Sequence, residues 1–157
     1  MKHTIKNKTI KNKSVKRDAK KLRKSLKTTS KKNYKSHIVK VFLELINMVK
    51  LYHWKTRSYA QHKATDELHE SLNKHTDEFV EVLLGKDSSR IRMVSKNINL
   101  IDCDNTKDFK ARIYEFRDFF VNMDKYFHSK KDTDLLTLRD ELLIDINQFL
   151  YLMTFDK

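Results

Sequence analysis

The amino-acid sequence predicts an all-α fold, in which a bundle of four helices follows a basic N-terminal arm. The 157 residues include one Gly and no Pro, so the chain lacks the residues that most often form the tight turns of a sheet. Apolar residues recur at steps of three and four over four segments, which is the pattern of helices that bury one face. The length suits one domain with a buried core.

The arm comprises residues 1–33 and holds the excess positive charge. Residues 1–35 contain 15 Lys and Arg and one acid, whereas residues 36–157 contain 19 Lys and Arg and 20 acids, against a net charge of +13 for the chain. Apolar residues in the arm are too sparse to be buried, so we expect it to be disordered when free. Such cations bind the phosphates of a polyanion regardless of its sequence, because binding releases counterions, and the expected partner is DNA. The cations expected to contact nucleic acid are Lys6, Lys8, Lys11, Lys13, Lys16, Arg17, Lys20, Lys21, Arg23, Lys24, Lys27, Lys31 and Lys32.

The domain that follows, residues 34–157, begins with two amphipathic helices joined by a short turn. The first helix is predicted at about 34–58, and the second at about 60–85, ending at Gly85. The apolar stripe of the first consists of Ile38, Phe42, Leu45, Val49 and Tyr52. The stripe of the second consists of Ala64, Leu68, Leu72, His75, Phe79 and Val82.

Two further helices are predicted at about 106–129, with Thr106 as N-cap, and at about 132–155, with Asp132 or Thr133 as N-cap. The first of these has a stripe formed by Phe109, Ile113, Phe116, Phe120, Met123 and Phe127. The stripe of the second is formed by Leu135, Leu138, Leu142, Phe149 and Met153. The segment between the two hairpins, residues 86–105, is long enough to run the length of a bundle, although its sequence does not decide between strands and a short helix. One long crossover between two helical hairpins is the connectivity of ferritin-like four-helix bundles.

Five polar residues on the first two helices have the chemistry of metal ligands. His53 lies near the end of the first helix, and His62, Asp66, Asp77 and Glu81 follow on the second. At about 3.6 residues per turn, the three carboxylates lie about 40°, 60° and 100° from His62 and therefore share one flank of the helix. Imidazole and carboxylate together suit iron, in the Fe(II) and Fe(III) states. Taken singly, His53 is more often a hydrogen-bonded core histidine, and each carboxylate a solvated charge.

Distance along the helix excludes a site closed by one chain. His62 and Asp77 are 15 residues apart, about 22 Å at a rise of about 1.5 Å per residue, whereas metal ligands lie about 2.0 to 2.2 Å from the ion. Two antiparallel copies of the second helix, related by a two-fold axis near residue 70, would bring His62 of one copy beside Asp77 and Glu81 of the other. The spacing therefore predicts a homo-oligomer that is a two-fold dimer at least, with two equivalent sites at its interface.

These residues resemble the DNA-protecting ferritin-like proteins of starved cells, called Dps. Members of that family have His-Trp at the end of the first helix, then a second His, followed by Asp, Asp and Glu at four, fifteen and nineteen residues after it. His53-Trp54, His62, Asp66, Asp77 and Glu81 reproduce this order, although nine residues separate the two histidines here and twelve is usual in the family. The pattern His-Trp-x-Thr-x-Ser-Tyr-Ala-x-His-Lys-Ala, residues 53–64, also looks like small ferritin-like proteins of phages and large DNA viruses.

The resemblance implies a ferroxidase site shared between subunits, a dodecameric shell and an arm that binds DNA. His53, His62, Asp66, Asp77 and Glu81 would be both iron ligands and catalytic residues, with Trp54 packed beside the site. The expected function is oxidation of Fe(II) by peroxide or dioxygen, together with protection or compaction of a genome. Two alternatives stay open: a DNA-packaging or virion structural protein without a working metal site, and an RNA-binding or nuclear adaptor. For the arm, a solubility tail, a nuclear-localisation signal and an anionic-membrane anchor also stay open.

The expected location is the cytoplasm or the nucleoid, or the virion if the chain is encoded by a virus. The single Cys103 excludes an intrachain disulfide and suits a reducing compartment. We expect no signal peptide and no contact with a membrane, because the basic N-terminus is not followed by an apolar stretch of the required length.

Overall fold

A computed structural model describes residues 34–155, which form four α-helices. They are α1 (Tyr34–Lys55), α2 (Tyr59–Gly85), α3 (Thr106–Val121) and α4 (Thr133–Leu152), and a short 3-10 helix, Asn122–Lys125, follows α3 directly. The described range contains no strand, so the prediction of an all-α fold is confirmed. The arm, its listed cations and its expected disorder lie outside the described residues.

Helix ends differ from the sequence prediction at α3. Its N-cap is Asn105 and not Thr106, because the Asn105 side chain accepts a hydrogen bond from the backbone N–H of Asp108. The helix also ends at Val121 and not near residue 129. The Asn122 side chain donates to the carbonyl of Asp118 at 2.7 Å, and the chain then tightens into the 3-10 turn. For α4 the cap position falls on Asp132, whose side chain makes no cap hydrogen bond.

The predicted apolar stripes face a common core. Most of their members are buried, including Phe42, Leu72, Phe109 and Leu142. Met123, in the 3-10 helix, and Phe127, two residues after it, are buried as well, although they lie beyond the end of α3. The four helices therefore enclose one hydrophobic core. No helix in the described range is both long and apolar enough to span a membrane.

Contacts along α1 show that it runs antiparallel to both α2 and α3. Phe42 meets Phe79 of α2, with ring centroids 5.3 Å apart, and Phe120 of α3, at 5.8 Å. Ten residues further along α1, Tyr52 stacks on Phe109, near the beginning of α3, at 3.9 Å. As the residue number rises along α1, the number of its partner on α3 falls.

Helix α4 is likewise antiparallel to α2 and α3. His75 of α2 contacts Asp145, and Lys86, just after α2, contacts Asp134 at the start of α4. Phe109 at the start of α3 contacts Phe149 near the end of α4. Because α2 and α3 are each antiparallel to α1, they run parallel to one another, and the chain must return along the bundle between them.

Residues 86–105 make this return as an irregular segment that lies along α1. Near the start of α1, Lys35 Nζ donates to Ser89 Oγ at 2.8 Å, and the N–H of Val94 donates to Ser36 Oγ at 2.9 Å. Near the end of α1, Lys55 Nζ contacts Asp102 at 2.6 Å. The sequence left strand or short helix undecided for this crossover, and the structure shows neither.

Candidate metal centre

The candidate centre is built around His53, in the last turn of α1. This side chain is buried, with 7% of its surface exposed. Its Nδ1 lies 3.0 Å from the backbone carbonyl oxygen of His62 and 3.3 Å from Thr65 Oγ1. The Thr65 hydroxyl donates to Gln61 O at 2.7 Å, so its proton is directed away from the ring. Since a carbonyl oxygen only accepts, Nδ1–H of His53 donates to it, and Nε2 takes no part in this hydrogen bond.

His62, in the first turn of α2, mirrors this arrangement. Its Nδ1 lies 3.1 Å from the backbone carbonyl oxygen of His53 and donates to it by the same argument. The two imidazoles stack with their centroids 3.9 Å apart and an angle of 23° between their planes. Each histidine thus fixes the tautomer of the other, and both Nε2 atoms remain available to a metal, as in metal sites where a second shell orients the ligating ring.

A network of buried polar side chains holds the turn between the two histidines. The Tyr52 and Thr56 hydroxyls both donate to Gln61 Oε1, at 2.7 and 2.9 Å, and Gln61 Nε2 donates to Thr106 Oγ1 at 3.2 Å. Ser58 caps α2 by accepting from the N–H of Gln61. The connection is therefore short and fixed, which is how a spacing of nine residues still brings the rings together.

Asp66 is a predicted carboxylate ligand that lies close to His53 in the same chain. Its Oδ1 lies 3.8 Å from His53 Nε2, and its side chain is 51% exposed. Asp66 is therefore a neighbour of His53, and it lies on α2 one turn after His62, whose flank the sequence predicted it to share. The nearby His69 is half-buried, and burial, followed by the charge of Lys50, lowers its pKa.

Asp77 and Glu81 are not brought to this cluster. They lie on α2, 15 and 19 residues beyond His62, which corresponds to about 22 and 28 Å of helix. Both are exposed, and neither makes an ion pair with another residue of the described range. Within residues 34–155 there is no group of three His, Cys, Asp or Glu side chains that could hold a metal ion. The five predicted ligands thus lie at two separate positions, and neither His53, His62 and Asp66 nor Asp77 and Glu81 form such a group within the described part of one chain.

Three large apolar side chains of α1 and the start of α2 are exposed. Trp54 is 69% exposed, Tyr59 78% and Leu43 40%. The ring of Trp54 lies 5.6 Å from Lys50 Nζ, and no ring contact with either histidine is recorded among the described residues. The expected packing of Trp54 beside the centre is therefore not seen within one chain.

Sequence reasoning missed Thr65 and Asp145. Thr65 supports His53 from the position before Asp66, and the only signal is a hydroxyl on the apolar side of α2. Asp145 accepts from His75 Nδ1 at 2.6 Å, with the two side chains 10% and 15% exposed. The signal for the His75–Asp145 pair is that Asp145 directly precedes the core residue Ile146, because an acid that is buried needs a partner.

Comparison with known proteins places the centre inside a recognised family. Neither a curated protein nor a solved structure matches the chain. A family model matches residues 53–153, close to two thirds of the chain, and its description is family of unknown function (DUF5856).

Proposed function

We propose that this chain, which belongs to the family of unknown function DUF5856, is a Dps-like ferroxidase that binds Fe(II) between two subunits and DNA through its arm. The observation that carries the proposal is the stacked pair of His53 and His62. Reciprocal Nδ1–H hydrogen bonds to backbone carbonyls leave both Nε2 atoms outside these bonds, and His53 Nε2 lies 3.8 Å from Asp66 Oδ1.

The arrangement of the helices supports a ferritin-like assignment. Helices α2 and α3 run parallel and are joined by a crossover along α1, which is the topology of a bundle made from two hairpins with one long connection. Iron sites in such bundles use carboxylate and imidazole side chains, the two ligand types found on this flank.

The charges of α2 support a centre shared by two copies of the chain. Asp77 and Glu81 are exposed carboxylates without a cation within 4.0 Å in the described part of one subunit. A two-fold axis near residue 70 would bring them to the histidines of the partner copy, where a divalent cation would offset their charge. The exposed Leu43 and Trp54 provide apolar surface for the same contact.

Iron is the substrate in this proposal. Two Fe(II) ions each give one electron to hydrogen peroxide, its O–O bond breaks, and two protons from solvent complete two water molecules, leaving two Fe(III). His53 and His62 hold the ion through Nε2, and the carboxylates neutralise the additional charge of Fe(III). Because this reaction removes iron and peroxide together, a site tethered to DNA would protect DNA from the hydroxyl radicals that the pair generates.

The first test measures formation of ferric iron after Fe(II) is added with peroxide or in air. Asp77→Asn and Glu81→Gln should each reduce the rate at least tenfold, because a carboxylate ligand is lost. Glu115→Gln is the matched control, since Glu115 is an exposed carboxylate on α3 and not on this flank of α2. Equal rates for the wild type and Glu81→Gln would refute the ferroxidase assignment and leave the DNA-packaging alternative.

The second test addresses the arm in the full-length protein. Replacing Lys20, Lys21, Arg23 and Lys24 with Gln should weaken DNA binding and leave the oligomer size unchanged. For about 6 to 10 phosphate contacts, wild-type affinity should fall about 10³- to 10⁵-fold between 50 and 200 mM salt. Affinity that does not change with salt would contradict electrostatic binding by the arm.

A further inference from the structure

The end of the bundle at which α1 begins carries an exposed group of cations. Three segments meet there: the first turn of α1, the start of the crossover, and the turn between α3 and α4. Lys35 Nζ contacts Ser89 Oγ at 2.8 Å, and Lys86 Nζ contacts the carbonyl of Lys131 at 3.0 Å. We call the following exposed residues the basic end: Arg90, Arg92, Lys96, Lys125, Lys130 and Lys131.

Four aspartates at this end are already paired, whereas Glu81, one turn before the end of α2, makes no ion pair with a residue of the described range. Asp87 binds Lys35 at 2.7 Å, Asp134 binds Lys86 at 2.8 Å, and Asp132 binds Lys86 at 3.2 Å. Asp124 is likewise paired, with Arg139 at 2.8 Å. By contrast, no residue of the basic end forms an ion pair with any residue of the described range, although Lys125 lies 5.0 Å from the ring of Tyr126.

The folded domain thus has an excess of unpaired cations at this end although its net charge is small. Six cations without an ion pair in the described range lie here, where the arm is attached, whereas others, such as Arg57, Lys63 and Lys107, lie elsewhere on the domain. Burial, followed by the positive charge of Lys125, lowers the pKa of His37 near the start of α1. A polyanion held by the arm would meet positive charge on the folded domain at this end.

We propose that the basic end is a second nucleic-acid contact surface, which binds the phosphate backbone of the DNA that the arm holds. This inference rests on the DNA-binding part of the proposed function and extends it from the arm to the folded domain. Arg90 and Arg92 suit phosphate because a guanidinium donates two parallel hydrogen bonds to it. DNA is favoured over an anionic membrane because the adjoining arm has too few apolar residues to insert into a bilayer.

The test compares two double variants of the full-length protein that remove the same charge. Arg90→Gln with Arg92→Gln removes two cations of the basic end. Arg57→Gln with Lys107→Gln removes two exposed cations at the opposite end, where α1 ends and α3 begins. DNA affinity is measured over a range of salt concentrations. Loss of two phosphate contacts should reduce the slope of log affinity against log salt by about 1.8, at about 0.9 per contact.

We expect the first variant to show this change and the second to keep the wild-type slope. Equal changes in both variants would mean that only total charge matters, and they would overturn the proposal. If the arm variant loses affinity while Arg90→Gln/Arg92→Gln keeps the wild-type slope, the basic end is not a contact and DNA binding by the arm stands. A wild type that does not bind DNA would remove both proposals, and competition by phosphatidylserine vesicles at equal charge would indicate a membrane partner instead.

Lysine labelling gives an independent measurement. Bound DNA should slow acetylation of Lys96, Lys125, Lys130 and Lys131, and leave Lys107 at its rate in the free protein. Unchanged rates for all four lysines would contradict the proposal even if affinity had fallen.

Discussion

At the scale of single residues, the candidate centre depends on which ring nitrogen of each histidine carries the proton. The carbonyl of His62 accepts from His53, and the carbonyl of His53 accepts from His62. Neither ring can turn over without losing a hydrogen bond, so both Nε2 atoms are preorganised before any ion binds. Preorganised ligands bind more tightly because their ordering entropy is already lost.

The second histidine pair has a structural role that can be tested by stability. Asp145→Ala removes the acceptor of His75 Nδ1–H at a position where both side chains are largely buried, so it should lower the free energy of unfolding by about 1 to 3 kcal/mol. Asp145→Asn keeps an acceptor oxygen and should lose less. Asp140→Ala on the same helix is the control, because the Asp140 side chain is 60% exposed and its pair with Arg139 should contribute less than about 1 kcal/mol. Urea unfolding measures all three, and equal losses for Asp145→Ala and Asp140→Ala would contradict a buried pair.

At the scale of elements, the helices could be predicted from the sequence much better than their ends. Helical period depends only on local spacing, so the four stripes and their burial follow from the sequence alone. The apolar spacing continues to Phe127 and favours a longer helix. The end of α3 depends instead on the hydrogen bond that the Asn122 side chain donates to the carbonyl of Asp118. The path of the crossover depends on partners distant in sequence, such as Lys35 and Lys55, which no local pattern identifies.

The start of the crossover is held by an acid whose titration should be measurable. Hydrogen bonds from Lys35 and Ser89 lower the pKa of Asp87 from 3.8 to about 2. A carboxyl with a lower pKa in the folded state contributes stability above pH 4, and this contribution is lost as the pH falls through 2. Between pH 5 and 2, the urea midpoint should therefore fall more steeply for the wild type than for Asp87→Asn. The difference should shrink at high salt because the pair is exposed, and parallel curves would show that Asp87 does not stabilise the fold.

At the scale of the whole molecule, the sequence predicted that the candidate ligands lie at two separate positions. It did not predict which groups hold the histidines in place. Helical arithmetic separated His62 from Asp77 and Glu81, and the structure keeps them apart in one chain. The roles of Thr65 and of the two backbone carbonyls could not be predicted. Every residue has a backbone carbonyl, and which one meets a histidine depends on how α1 packs against α2. The sequence also identified the arm as basic, but not the unpaired cations of the basic end, because which charges at this end are paired depends on how α3, α4 and the crossover come together.

The shared centre predicts that two inactive chains will restore activity to one another. A His62→Ala chain lacks a histidine ligand and a Glu81→Ala chain lacks a carboxylate ligand, so each should be inactive in iron oxidation alone. In a mixed dimer, the histidines of the Glu81→Ala chain face the carboxylates of the His62→Ala chain, and one of the two sites is intact. Refolding the two chains together in equal amounts should therefore restore about a quarter of the wild-type activity, since about half of the dimers are mixed. Mixing the folded proteins without exchange of subunits is the control and should restore none. If the co-refolded mixture is as inactive as its components while the wild type refolds to full activity, the ligands do not come from two subunits.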